Sequence, residues 1–74
     1  MGKEGNMKDL EKFGQNVRDC RKKLGISQEE LGFLSGLDRT YISGIERGNR
    51  NPSFKNVRKI AKALGVTVGQ LSDW

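Results

Sequence analysis

The sequence predicts an all-α fold, a compact domain of five helices. Three observations predict it. Apolar residues recur at steps of three and four, capping residues and glycines punctuate the chain at short intervals, and no apolar–polar alternation lasts long enough to make a strand.

Leu10, Phe13, Val17, Cys20 and Leu24 form one helical stripe, so the first helix turns a single face to a core. Gly25 stops it, and Arg21, Lys22 and Lys23 stand in its last turn, where cations suit the helix dipole. Ser27 and Glu30 have the spacing of a capping box, in which the hydroxyl takes the N3 amide and the carboxylate returns to the cap amide. The second helix therefore starts after Ser27 and runs to about Ser35, with Gly36 as its stop. Gly36 and Leu37 leave room only for a turn before Asp38, a second N-cap. The third helix is expected from Arg39 to Arg47, with Ile42 and Ile45 inward and Gly48 beyond its end. Both helices are too short to hold their shape alone and must be held by packing. Asn49 to Pro52 is a polar turn. Ser53 caps a fourth helix with Phe54, Val57, Ile60, Ala61 and Leu64 on one face and Gly65 as its stop, and Thr67 caps a short fifth helix containing Val68, Leu71 and Trp74. Residues 1–6 read as a flexible, glycine-containing leader, and residues 7–74 as one helical domain.

A domain this small buries only about 60% of the surface its unfolded chain would expose, so its core is modest. The chain has 14 Lys and Arg against 9 Asp and Glu, a net charge of +5. Its sequence pI is near 9.7. That excess suits a polyanionic partner, because each cation docked on a phosphate releases condensed counterions. Cys20 is the sole cysteine and histidine is absent. One thiol closes no internal disulfide, which points to the cytoplasm. Without Cys and His at ligand spacing no metal site is expected. Without histidine, and with carboxylates scattered along helical patterns, no enzyme is expected. No apolar run approaches the roughly 20 residues of a membrane span. Nothing beyond the small core suggests a ligand pocket, so no cofactor or small-molecule ligand is expected.

The informative arrangement is a short helix, a tight turn and a second short helix followed by a polar loop. An α-helix fits the major groove of B-DNA, and its N-terminal residues reach the base edges. Here those residues are Arg39, Thr40, Tyr41 and Ser43, all capable of hydrogen bonding. Arginine can grip guanine with two bonds, and threonine offers both a hydroxyl and a methyl group.

From Val17 to Trp74 the chain resembles the lambda-repressor/Cro-type helix-turn-helix family, also called the Xre family. The matching stretches are Val17-Arg18 through Arg21, Ser27-Gln28-Glu29-Glu30-Leu31, Ser35-Gly36, Ile42 through Ile45-Glu46-Arg47-Gly48, and Ile60-Ala61-Lys62-Ala63-Leu64-Gly65-Val66. The run from Asp38 to Arg47 is similar to the controller proteins of restriction–modification systems. The resemblance implies a sequence-specific transcriptional regulator that binds a roughly palindromic operator in double-stranded DNA. It implies that Arg39, Thr40 and Ser43 read bases, and that Gln28, Tyr41, Arg47, Arg50 and Asn51 grip backbone phosphates. A helix N-terminus is also a natural anion site, which supports Gln28 independently. One base-reading position of the family is Gly44 here, which has no side chain to offer. The resemblance further implies an ion pair between Arg21 and Glu46, linking the first helix to the end of the third.

Several residues carry a plainer reading. Lys22, Lys23, Lys59 and Lys62 read as a solvated face, Cys20 as a small core residue rather than a redox sensor, and Gly32 as a close crossing of the second and third helices. Tyr41 can pack in the core with only its hydroxyl at the surface. Spacing from Leu31 would bury Leu34, whereas the resemblance puts Leu31, Gly32 and Ser35 inside. Phe33 is then left partly exposed, folded over the first helix or offered to a partner. A module this small gains contact area by two-fold doubling, so a homodimer is expected. Val68, Leu71 and Trp74 are its expected interface, and the alternative is that Trp74 closes its own core. The competing function is a protein-interaction module on the same fold, such as an antitoxin or anti-repressor partner. Such a descendant should have lost the polar residues of the third helix, which this chain retains.

Overall fold

The structure, a computed structural model, describes residues 7–72. The expected leader at 1–6 and Trp74 lie outside the described residues. The helices are α1 (Met7–Leu24), α2 (Gln28–Ser35), α3 (Arg39–Glu46), α4 (Phe54–Leu64) and α5 (Val68–Leu71), and no strand occurs among the described residues.

The caps account for the boundaries. Ser27 Oγ accepts from the Glu30 amide at 3.0 Å while Glu30 Oε1 accepts from the Ser27 amide at 2.7 Å, so α2 starts from a complete capping box. Thr67 and Gln70 form a second complete box at the start of α5. Asp38 Oδ2 accepts from the Thr40 amide at 2.8 Å and opens α3. Gly36 takes a left-handed φ of 74°, a conformation that a β-carbon disfavours, and so turns the chain sharply between α2 and α3. Helix α3 ends at Glu46, one residue earlier than expected, with Arg47 as its C-cap.

Val17, Leu31, Ile42, Ile45, Ile60 and Leu71 are fully buried, and Phe13, Ala61 and Leu64 complete the core. At about 1.5–3 kcal/mol per large apolar side chain, this burial is what holds the short helices in place. Asn16 on α1 donates to the Leu71 carbonyl at 2.8 Å and ties α5 to α1. Two glycines set the helix crossings. A β-carbon on Gly14 would collide with the carbonyl oxygens of Ile45 and Glu46, so α1 lies directly against the end of α3. A β-carbon on Gly32 would lie 2.7 Å from the Leu37 carbonyl oxygen, which lets α2 close on the turn into α3.

The structure corrects several of the expectations drawn from the sequence. Leu24 and Phe54 were placed on core faces, yet they are 52% and 68% exposed. Each sits at a helix end and borders a surface groove rather than the enclosed core, Leu24 beside Cys20, Leu64 and Val66, and Phe54 beside Phe13, Val57 and Val68. On α2, Leu31, Gly32 and Ser35 are buried while Leu34 is exposed, so the helix is rotated as the family resemblance implied rather than as spacing from Leu31 implied. Phe33 is 86% exposed and does not fold over α1. Leu71, expected at a dimer interface, is wholly enclosed in its own core and has no surface to give a second copy.

Candidate nucleic-acid interface

Helix α3 is divided cleanly by its own periodicity. Ile42 and Ile45 are fully buried and anchor the helix, whereas Arg39 and Thr40 are exposed and Ser43 is half-buried. At about 100° per residue, Arg39, Thr40, Ser43 and Arg47 fall within an arc of about 100°, opposite the two isoleucines. The sequence places four hydrogen-bonding side chains on that arc, and the buried isoleucines hold it outward.

The remaining predicted contacts are organised around this helix. Tyr41 is half-buried, and its hydroxyl accepts from Asn56 Nδ2 at 3.0 Å. That leaves the phenolic O–H as a donor. The guanidinium of Arg50 lies 5.7 Å from the centre of the Tyr41 ring, within cation–π range. The Arg50 stem continues across Gly44, whose burial is due to it: a β-carbon there would stand 2.7 Å from Arg50 Cγ. The loop bearing Arg50 is itself fastened to α3 by the bond from the Asn49 amide to the Gly44 carbonyl at 2.8 Å. Arg47 and Asn51 are exposed, and Asn51 borders an apolar groove formed by Leu10, Phe13, Phe54, Val57 and Val68.

Behind α3 the Glu46 carboxylate is almost completely enclosed. Arg21 grips it with two bonds, Nε to Oε2 at 2.7 Å and Nη2 to Oε1 at 3.0 Å, and the two side chains are 11% and 2% exposed. Hydrogen bonding to Glu46 raises the Arg21 pKa above its ordinary value, against a smaller opposing effect of desolvation. Arg21 Nη1 also donates to the Ile26 carbonyl at 2.9 Å, and Gln28 Nε2 donates to Glu46 Oε1 at 3.0 Å. Gln28, at the first position of α2, is thereby joined to the last turn of α3. Sequence reasoning missed this bond, the Asn56 partner of Tyr41 and the seat of Arg50 on Gly44. Only the absence of a side chain at Gly44 was a visible signal.

A helix-turn-helix family profile matches residues 17–71. Control protein C.BamHI of Bacillus amyloliquefaciens is 56% identical over 63 residues, covering 84% of this chain and 78% of that protein. Control protein C.MunI of a Mycoplasma species is 43% identical over 67 residues, covering 88% of this chain and 90% of that protein. Among solved structures, the restriction–modification controller protein C.AhdI from Aeromonas hydrophila superposes with a TM-score of 0.85 at 53% identity, covering 86% of this chain and 97% of that one.

Proposed function

The chain belongs to the helix-turn-helix family of the Xre type, with restriction–modification controller proteins among its relatives, and from that premise we propose how it regulates transcription: it binds an operator in double-stranded DNA with α3 in the major groove. The observation that carries this reading is the division of α3, in which fully buried Ile42 and Ile45 hold Arg39, Thr40 and Ser43 outward on one arc. Those three side chains read base edges. Gln28, Tyr41, Arg47, Arg50 and Asn51 hold the sugar–phosphate backbone and set the register of the reading helix.

The protein acts as a homodimer. Two copies of α3 about 34 Å apart enter successive major grooves on one face of the duplex, so the operator is roughly palindromic. The interface lies at the C-terminal end. Val68 borders the apolar groove there, and Phe54, 68% exposed, lies along the same groove, which supports this placement. Trp74, from its place in the sequence, is proposed as part of the same interface. No helix among the described residues is long and apolar enough to cross a membrane.

Selection from a pool of random duplex DNA, with the stoichiometry of the complex measured, tests this reading. An enriched two-fold symmetric sequence bound by two chains supports it, and recovery of no preferred sequence contradicts it.

A further inference from the structure

We infer that Glu46 is a positioning residue for the phosphate contact of Gln28, an inference that rests on the DNA-binding reading above. A purely architectural Glu46 would need only the two-bond grip of Arg21, which neutralises the carboxylate and closes α1 on α3. The third bond, from Gln28 at 3.0 Å, is not required for that. It reaches across 18 positions of sequence to the residue that opens α2.

The chemistry of the bond fixes more than distance. A carboxylate only accepts, so the amide nitrogen of Gln28 must face Glu46, and its second N–H and its carbonyl oxygen remain for other partners. The second N–H is the donor for a phosphate oxygen. A free glutamine loses rotamer freedom when it docks on DNA, whereas here the side chain is ordered when the domain folds. Arg21 cancels the charge of Glu46, so a carboxylate close to the DNA backbone does not repel it. Arg21 Nη1 also holds the Ile26 carbonyl, immediately before the Ser27 cap, which gives the start of α2 a second tie to the same pair. One enclosed carboxylate thus joins the phosphate grip at the start of α2 to the base-reading helix α3.

The test uses the full chain and its selected operator, with individual phosphates replaced by neutral methylphosphonates. For the wild-type protein one replacement in each half-site should cost about tenfold in affinity through the lost Gln28 bond. Gln28→Ala should show that loss on unmodified DNA and become insensitive at that phosphate. Glu46→Gln leaves one acceptor oxygen for three donors, and it should lose sensitivity at the same phosphate while the others keep theirs. An equal change at every phosphate, or none at that one, would overturn the inference in favour of architecture alone. Should Glu46→Gln fold too poorly to measure, side-chain amide relaxation in the wild-type protein decides. Gln28 Nε2 should be as rigid as the α2 backbone in both free and bound protein, and a mobile amide in the free protein overturns the inference. Failure of the wild-type protein to bind any duplex would instead remove the DNA-binding reading beneath it.

Discussion

The Arg50 side chain occupies the space that a β-carbon on Gly44 would take, with Cγ 2.7 Å from that position. The gap in the middle of α3 is therefore filled by a cation from the following loop. Gly44→Ala separates fold from function here. Alanine is a better helix former than glycine by roughly 1 kcal/mol, so the free domain should melt no lower than wild type. Arg50 must move off the helix and away from Tyr41, so affinity for DNA should fall severalfold. Paired melting and DNA titration check this, and a variant that binds as tightly as wild type would show that the position of Arg50 does not matter.

Arg50 itself is proposed to hold a phosphate. Arg50→Ala should weaken cognate and random duplexes about equally and lower the slope of log affinity against log salt by about one unit. Titration at several salt concentrations reads this directly. An unchanged slope, or a loss confined to the cognate site, would move Arg50 from the backbone to the bases.

Glu46→Ala leaves Arg21, only 11% exposed in its side chain, with no carboxylate partner. Removal of one member of a buried pair costs about 3–5 kcal/mol, a large part of the stability of any small domain. Thermal unfolding without DNA should show a sharp fall, and an unaltered midpoint would refute the importance of the pair. Because Glu46 raises the Arg21 pKa, the stabilisation from this shift is present below the unfolded-state pKa and lost only as pH rises through the raised folded-state value. The midpoint should accordingly show no loss from Arg21 between about pH 6 and about pH 9, well below the range in which a guanidinium gives up its proton.

What was legible in the sequence depended on neighbours along the chain. Ser27 with Glu30, Asp38 and Ser53 announced helix starts because a cap bonds amides within three residues of itself. The two-sided character of α3 was legible from the contrast between Ile42 and Ile45, which are buried, and the polar residues around them. Periodicity gives only the direction a residue faces. It does not say where the opposing element ends, and Leu24 and Phe54 were therefore misread as core. Contacts between distant residues were illegible for a further reason. The Gln28–Glu46 and Tyr41–Asn56 bonds exist only after α2, α3 and α4 have docked, and nothing local to any of these residues signals its partner.

The dimer interface proposed at the C-terminal end calls for a variant that spares the core. Truncation after Gly69 would remove Leu71, which is fully buried, and Leu71→Ala should cost about 2–5 kcal/mol in the monomer itself. Trp74→Ala leaves Leu71 in place. Sedimentation should show weaker dimerisation with an intact fold, and dimerisation as tight as wild type would place the interface elsewhere, with Phe33 and Leu34 the next exposed apolar pair.

Base reading by Arg39 on α3 is tested by selection from random duplexes run in parallel on wild type and Arg39→Ala. Wild type should enrich two half-sites with centres about 10–10.5 base pairs apart, the separation of successive major grooves. Arg39→Ala should keep the same spacing, lose preference at one base pair in each half-site, and bind the original operator more weakly by about 1–3 kcal/mol. Identical selected sequences from the two proteins, with affinity lowered equally on cognate and random DNA, would contradict base reading by Arg39 and leave it a backbone contact.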